Sequence, residues 1–296
     1  MTIRVNVDGQ EGSAEDPLIS PIDQGFLFGA SVYETVRTYG GAPFLLARHL
    51  KRLRASAETL GIDIALDDDV LTQRVDDTIA AAGNEESSIR IVVSAGRGAI
   101  DYRKGSAGKA TVVIIVRPLV PLSDDLYRNG AAATLVRGYA NRPGPHPRMK
   151  SSNLMPNILA LRQAHAGNAY EALLLNDAEE VCEGSMSNVF IIRDGEVTTP
   201  PVSSGILEGI TRELILDIAK EHGVPLAEAS ITATTLLDSD EVFISASSRQ
   251  IVPITEVNDS PIGSGTVGPV TNSFMNWYES YVRELMRIST TNQKSH

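Results

Sequence analysis

Apolar and polar residues alternate along the chain with two different periods, and these periods predict its strands and helices. Between residues 31 and 39 two sets of side chains alternate, which places Tyr33, Thr35 and Arg37 on one face of a strand. Between residues 46 and 60 leucines recur at helical spacing, and Gly61 then ends the helix. By the same criteria we predict strands over 3–7, 31–39, 88–94, 110–116, 132–139, 171–176, 189–193 and 241–245. The corresponding helices are predicted over 46–60, 70–83, 154–164, 211–222 and 270–286.

The stretch 117–125, RPLVPLSDD, combines two prolines with an acidic cluster and predicts a linker between domains. We therefore expect an α+β fold with a smaller N-terminal α/β domain over 1–120 and a larger C-terminal domain over 121–296, with the chemistry at their junction. A turn is expected over 25–29. The loop after strand 88–94, GRGAIDYRKGSAGK, contains four glycines and is a candidate lid.

Composition narrows the classes of protein that this sequence can represent. The formal net charge of −11 over 296 residues argues against a nucleic-acid partner and against an anionic membrane surface. Cys182 is the only cysteine, so neither an intrachain disulfide nor a cysteine-cluster metal site is expected. The apolar runs are too short to span a membrane, and the first residues lack the apolar core of a secretory signal. We expect a cytoplasmic enzyme without a metal.

A lysine and a glutamate form the first candidate pair for chemistry. Pyridoxal phosphate needs an amine that holds its aldehyde as a Schiff base and an acid that keeps its ring nitrogen protonated. Lys150, in RMKSSNLMPNILA, is the candidate amine, although a solvated surface lysine is the alternative. Glu183 is the candidate acid, in a glycine turn of small residues between two strands that a flat ring can approach. Ser185 and Asn188 are expected to hold that turn.

A phosphate anchor is the independent requirement of the same cofactor. Gly209, Ile210 and Thr211 stand at a predicted helix start, where unpaired backbone N–H groups and the helix dipole attract anions. Ser247 and Ser248 follow a buried strand and can add hydroxyl donors. A further candidate is the cation Arg52, on the first long helix. An ordinary capped helix and a surface arginine remain the alternatives.

Six motifs in one order resemble the fold-type IV pyridoxal phosphate enzymes. They are GxxxYExxRxY, HLxRLxxSAExL, KSxNLxxNxLA, EGSxSNVF, GIxxGITR and a late strand followed by a serine pair. The family includes branched-chain aminotransferases, D-amino acid aminotransferases, aminodeoxychorismate lyases and R-selective amine transaminases. The resemblance implies a D-amino acid aminotransferase-like two-domain fold, a homodimer and pyridoxal 5'-phosphate. It also implies catalysis by Lys150 and cofactor contacts from Arg52, Lys150, Glu183, Ser185, Asn188, Leu207, Gly209, Ile210, Thr211, Ser247 and Ser248.

The subfamily motifs point in more than one direction. The strands VYETVRTY and SIRIVV resemble branched-chain aminotransferases, whereas KSSNLMPN resembles the D-specific version of the lysine segment. Ile100 and Tyr102 replace the Arg-x-His pair by which D-amino acid aminotransferases trap a carboxylate, and Thr35 is also what the lyases use. We predict a branched-chain L-amino acid aminotransferase with a 2-oxo acid such as 2-oxoglutarate as its second substrate. The lyase, D-amino acid and R-amine activities and a non-catalytic cofactor carrier are the alternatives.

The substrate carboxylate needs a cation, and three arginines are candidates. These are Arg37, Arg90 and Arg97, any of which can form a bidentate clamp. Tyr33 and Thr35, which share the strand face of Arg37, are further candidates for contacting the substrate. The alternative for Arg37 and Arg90 is pairing with acidic neighbours across the strands.

Overall fold

The computed structural model describes residues 2–16, 19–98, 108–140 and 149–293. Its residues group into two compact units, of which the first comprises Met1–Pro121 and Met149–Asn153 and the second Leu122–Arg148 and Leu154–His296. The segment that contains Lys150 therefore belongs to the first unit, although the chain has already entered the second. Among the described residues, none of the helices has the length and apolar character that a membrane crossing requires.

The first unit is an antiparallel sheet with two long helices packed on one face. Its elements in chain order are β1 Arg4–Val7, β2 Gln10–Ser13, α1 Gln24–Phe28, β3 Ser31–Tyr39, β4 Ala42–Pro43, α2 Leu46–Thr59, α3 Asp68–Ala82, β5 Ser87–Ser94 and β6 Thr111–Pro118. The strand order is β2-β1-β6-β5-β3-β4. Apolar residues of α2 and α3, such as Leu50, Leu53 and Leu71, are buried against Val36 and Ile89 of the sheet. This burial provides the main stabilisation of the unit.

The predicted strand 31–39 and the two predicted helices of this unit are confirmed, and their ends have local causes. The Asp67 side chain caps α3 by accepting a hydrogen bond from Val70 N, and Gly83 ends it with a positive φ of 60°. The predicted turn over 25–29 is wrong, because these residues form most of helix α1. Its N-cap is Asp23, whose side chain accepts hydrogen bonds from the backbone N–H groups of Gly25 and Phe26.

The second unit is built on a mixed sheet. Its elements are α4 Asp124–Asn129, β7 Ala131–Arg137, α5 Met155–Ala166, β8 Glu171–Leu175, β9 Glu180–Gly184, β10 Asn188–Arg193, β11 Glu196–Thr199, α6 Ile210–Glu221, β12 Leu226–Glu228, β13 Ile231–Thr232, α7 Ala233–Leu237, β14 Glu241–Ala246, β15 Gln250–Val257, β16 Ser260–Pro261 and α8 Pro269–Gln293. The strand order is β12-β11-β10-β14-β15-β7-β8-β9-β13, and β16 pairs with β15.

Two expectations about this unit are wrong. Glu183 lies on strand β9, opposite Leu174 of β8, rather than in a turn, and the turn begins only at Ser185. Its polar neighbours concealed a strand whose side chains are nearly all buried. The helix predicted to end near residue 286 continues to Gln293.

Candidate active site

The Lys150 segment runs beside the start of β3 in the first unit. Tyr33 N donates a hydrogen bond of 2.9 Å to Lys150 O, and Ser152 N donates one of 3.0 Å to Ser31 O. Lys150 N in turn donates to Ser56 Oγ of α2 at 3.2 Å. The lysine Nζ lies 4.8 Å from the centre of the Tyr33 ring. The backbone of Lys150 is therefore fixed on both sides, so that the position of its amine depends on side-chain rotation alone.

Arg52 is held by a buried acid that the sequence did not single out. Its Nε donates a hydrogen bond of 2.7 Å to Glu34 Oε1, and its Nη2 donates one of 2.7 Å to Glu34 Oε2. His49 Nδ1 lies 2.7 Å from Glu34 Oε2. Glu34 and His49 are only 0% and 1% exposed. Such a bidentate pair fixes the plane of the guanidinium group.

The charges of this cluster depend on each other. Burial raises the pKa of Glu34, but the hydrogen bonds and positive charge of Arg52, together with the hydrogen bond to His49, outweigh burial and lower that pKa to about 2. Burial lowers the pKa of His49, the hydrogen bond to Glu34 opposes this effect, and the positive charges of Arg52 and Lys150 add to it. The histidine is therefore expected to be neutral near neutral pH, while Glu34 is ionised.

A signal for Glu34 and His49 was present in the sequence. Glu34 lies between Val32 and Val36 on the same, apolar face of β3. An acid on such a face needs a partner. His49 and Arg52 are three residues apart and therefore share one face of α2.

The candidate substrate residues of β3 and β5 lie on neighbouring strands. Thr35 is paired with Arg90 in the antiparallel register. The guanidinium carbon of Arg90 lies 3.9 Å from the centre of the Tyr33 ring, and that of Arg37 lies 4.0 Å from the centre of the Tyr39 ring. Burial lowers the pKa of Arg90, the nearby Tyr33 opposes this effect and Arg117 adds to it.

The pairing of Arg37 and Arg90 with acidic neighbours is not observed. Within the described ranges neither arginine forms an ion pair, and each lies over an aromatic ring instead. Arg97 is exposed, and its backbone forms an isolated antiparallel β-bridge with the backbone of Asp23. Ile100, Tyr102 and most of the predicted lid lie outside the described residues.

In the second unit, Glu183 is tied to the segment that leads into α6. Its side chain is 4% exposed, and Leu207 N donates a hydrogen bond of 3.0 Å to its Oε2. Asn188 Nδ2 donates a hydrogen bond of 2.9 Å to Leu207 O. A Cβ on Gly209 would lie 2.0 Å from Asn188 Oδ1, so the backbone at this glycine passes directly over the amide of Asn188. The carboxylate and the start of α6 are therefore set by one connected segment.

Helix α6 begins where the sequence predicts a helix start, at Ile210. Gly209 is the N-cap and has no side chain with which to satisfy the first-turn N–H groups. Ile210 and Thr211 begin the helix and are buried. Ser247 and Ser248 are half-buried in the turn between β14 and β15. The uncapped N–H groups, the helix dipole and the hydroxyl of Thr211 form a donor set that suits a phosphate.

Comparisons with known proteins identify the family. The profile of the family "Amino-transferase class IV" matches residues 31–257. The chain is a class IV aminotransferase. This finding confirms the predicted family and its enzymatic class.

Relatives of this class IV aminotransferase carry three different names. A Methanocaldococcus jannaschii protein with the name "Putative branched-chain-amino-acid aminotransferase" is 34% identical over 91% of this chain and 93% of its own. A D-alanine aminotransferase of Listeria innocua is 33% identical over 96% of this chain and 97% of its own. An aminodeoxychorismate lyase of Bacillus subtilis is 29% identical over 95% and 96%.

Solved structures confirm the predicted fold class of this class IV aminotransferase. A branched-chain aminotransferase of Thermoproteus uzoniensis with norvaline superposes with a TM-score of 0.84 at 31% identity and covers 93% of both chains. A T.th. branched-chain amino acid aminotransferase with pyridoxamine 5'-phosphate gives a TM-score of 0.86 at 29% identity, covering 93% of this chain and 92% of its own.

Proposed function

We propose that this class IV aminotransferase uses pyridoxal 5'-phosphate to move amino groups between branched-chain L-amino acids and a 2-oxo acid such as 2-oxoglutarate. The observation that carries the cofactor assignment is the bond from Leu207 N to Glu183 Oε2. This hydrogen bond holds a buried carboxylate against the segment that leads into the uncapped start of α6. It thereby supports Glu183 as the acid for the ring nitrogen and the helix start as the site of the phosphate.

The first unit fits the same cofactor with its own residues. Lys150 supplies the amine, and its backbone is held by Tyr33 and Ser56. Arg52 would hold the phosphate, in an orientation that Glu34 fixes through two hydrogen bonds. Amine, acid, uncapped helix start and oriented guanidinium are together the groups that this cofactor requires.

Each residue has a separate task in the proposed mechanism. When bound, the cofactor supplies an electron sink for the bond that breaks at the α-carbon. Lys150 Nζ would bind the cofactor covalently, be released by the amino donor, and then take up and return the α-proton as a general base and acid. The carboxylate of Glu183 would accept a hydrogen bond from the protonated ring nitrogen. Leu207 keeps that carboxylate in place throughout.

Arg90 is the candidate for the substrate carboxylate. Its guanidinium carbon and Lys150 Nζ lie 3.9 and 4.8 Å from the centre of the same Tyr33 ring. Both cations therefore approach the same ring, which supports Arg90 as the carboxylate-binding arginine beside Lys150. Partial burial of the arginine strengthens such a charge-assisted bond.

Replacement of Arg90 by Gln tests this role. We expect the KM for 2-oxo acids to rise about tenfold or more, because one bidentate ionic bond is lost. Arg193→Gln is the control, since Arg193 is an exposed arginine at the end of strand β10. Steady-state kinetics with 2-oxoglutarate decide the matter, and equal KM values for wild type and Arg90→Gln would contradict the role.

The branched-chain assignment is supported by the Methanocaldococcus relative and by solved branched-chain enzymes along nearly the whole chain. A panel of amino donors tests it, with 2-oxoglutarate as acceptor. We expect amino transfer from L-leucine, L-isoleucine and L-valine. Transfer from D-alanine or R-1-phenylethylamine alone would select the other transaminase subfamilies. Release of 4-aminobenzoate and pyruvate from a chorismate-derived substrate would select the lyase.

A homodimer in the cytoplasm completes the proposal. The apolar residues of α1 support the dimer: Phe26 is 73% exposed, and Leu27 and Phe28 are 39% and 41% exposed. Adjacent exposed apolar side chains of this size mark an interaction surface more often than a solvated one.

A further inference from the structure

Glu171, the first residue of β8, is a fully buried carboxylate with five hydrogen-bond donors. Its Oε1 accepts from the backbone N of Ala172 at 3.0 Å and of Ser185 at 3.2 Å, and from Ser185 Oγ at 2.5 Å. Its Oε2 accepts from Ser187 Oγ at 3.0 Å and from Arg249 Nη1 at 2.9 Å. The side chain is 0% exposed. A buried carboxylate is stable only when it is paired in this way.

Three of these donors belong to the turn that follows Glu183. The turn closes through a hydrogen bond of 2.7 Å from Gly184 N to Ser187 O. A Cβ on Gly184 would lie 2.1 Å from Ser187 Oγ, so the hydroxyl that binds Glu171 packs directly on the backbone next to Glu183. Glu171 therefore determines the shape of the chain immediately after the candidate ring-nitrogen partner.

The remaining side-chain donor, Arg249, belongs to the turn that carries Ser247 and Ser248. Arg249 N closes this turn by donating 3.1 Å to Ala246 O, and its own carbonyl accepts a hydrogen bond of 3.0 Å from Tyr127. Its guanidinium carbon lies 5.2 Å from the centre of the Tyr170 ring. The side chain is 22% exposed and thus largely withdrawn from solvent. Arg249 is anchored through both its backbone and its side chain.

We propose that Glu171 and Arg249 are positioning residues that set the two cofactor-binding turns of the second unit, residues 185–188 and 246–249, relative to each other. The buried ion pair between Glu171 and Arg249 joins these turns. The positions of the turn after Glu183 and of the turn with Ser247 and Ser248 therefore depend on each other. This inference rests on the proposed function, because it concerns the binding of pyridoxal phosphate. Both residues act through the turns rather than by touching the cofactor.

A Glu171→Gln substitution is the most direct perturbation. Glutamine keeps the shape but presents an amide nitrogen, a donor, to groups that are themselves donors. A buried donor without an acceptor weakens the arrangement of both turns. Arg249→Gln removes the ion pair from the other side, and Arg249→Lys restores its charge. Glu179→Gln is the matched control, because Glu179 forms an exposed pair with Arg137 in the same unit.

The measurement is the dissociation constant of pyridoxal phosphate for the full-length apoprotein, followed by the absorbance of the bound cofactor. We expect it to rise about tenfold in Glu171→Gln and in Arg249→Gln. The dissociation constant of the double variant should be no higher than that of either single variant, because the two residues act as one unit. Arg249→Lys should recover most of the affinity, and Glu179→Gln should match wild type.

Other outcomes separate this inference from the proposed function. Wild-type protein that binds no pyridoxal phosphate would overturn both. Wild-type binding with unchanged constants in both glutamine variants would overturn the positioning role alone, as would additive losses in the double variant. Should Glu171→Gln fail to fold, Ser187→Ala replaces it by removing one donor from Glu171. A severalfold rise in the dissociation constant of Ser187→Ala would support the positioning role of Glu171, and an unchanged dissociation constant would overturn it.

Discussion

Glu34 is the residue in which burial, charge and position are most closely linked. Its carboxylate is buried under α2 and is stabilised by Arg52 and His49 against the cost of burial. An acid of this kind remains ionised only while the surrounding cations stay in place. The orientation of Arg52, and with it the proposed phosphate contact, depends on that charge.

The pKa of Glu34 predicts how the stability of the protein changes in acid. The folded-state pKa is about 2, below the 4.5 of an unperturbed glutamate. The folded form binds this proton less readily than the unfolded form, so the stabilisation is complete above the unfolded pKa and is lost as the pH falls toward the folded one. His49, whose pKa is also lowered, acts in the same direction below its unperturbed value of 6.5.

Denaturant titrations from neutral pH down to about pH 3 measure the effect. We expect Glu34→Gln to have a lower free energy of unfolding at neutral pH and a flatter dependence on pH. At neutral pH, the free energy of unfolding of Glu34→Gln should be lower than that of wild type by on the order of 3 kcal/mol. Glu179→Gln, in an exposed pair, should follow the wild-type curve. Coinciding slopes for wild type and Glu34→Gln would show that Glu34 has no depressed pKa.

Elements with a regular period were predictable from the sequence, and elements defined by their partners were not. Strand β3 and helices α2 and α3 follow from alternation, leucine spacing and the glycines after them. Strand β9 was missed because its strand character comes from pairing with β8 and β13, not from its own polar sequence. The sequence of the short helix α1 predicts a turn, because its glycines also suit a turn. Only the hydrogen bonds to the cap residue Asp23 distinguish the helix.

The candidate site divides in the same way. Lys150, Arg52, Glu183 and the start of α6 were predicted from motifs and residue types. Glu34, His49 and Glu171 were not singled out. The position of Glu34 on the apolar face of β3 indicated that this acid needs a partner, but only the fold shows which donors pair with Glu34 and Glu171. Arg249, for example, lies 78 residues from Glu171 along the chain.

The start of α6 offers a prediction at the level of an element. Gly209 has a φ of −71°, which alanine adopts freely, but a Cβ there would lie 2.0 Å from Asn188 Oδ1. Gly209→Ala should displace Asn188 from Leu207 and so weaken pyridoxal phosphate binding about tenfold. Gly167→Ala is the matched control, since its Cβ would meet only Ala164 O at 3.5 Å. Titration of the apoproteins with cofactor checks this, and equal affinities would mean that the segment adapts.

At the scale of the whole molecule, each of the two units contains residues that are candidates for binding the cofactor. Lys150 and Arg52 belong to the first, and Glu183 and the start of α6 belong to the second. A boundary at residue 120 assigns Lys150 to the C-terminal domain on sequence position alone. The contacts of the Met149–Asn153 segment group it with the first unit instead. The domain division over 1–120 and 121–296 stays a prediction.

The proposed homodimer also leads to a prediction at this scale. Phe26→Ser should shift the mass of the protein in solution toward that of a monomer, because it removes the most exposed aromatic ring of α1. Val120→Ser is the control, since Val120 is 81% exposed but lies outside α1. Light scattering after size-exclusion chromatography measures both variants. An unchanged mass for Phe26→Ser, or a wild-type monomer, would contradict the proposed interface.

The central claim is that Lys150 binds pyridoxal phosphate covalently. Borohydride reduction of the cofactor-loaded protein, followed by digestion and mass spectrometry, tests it most directly, because reduction makes the bond to the lysine permanent. We predict a reduced pyridoxyl adduct on the peptide containing Lys150 and no such adduct in Lys150→Ala. An adduct on a different lysine, or none on the loaded wild-type protein, would contradict the claim.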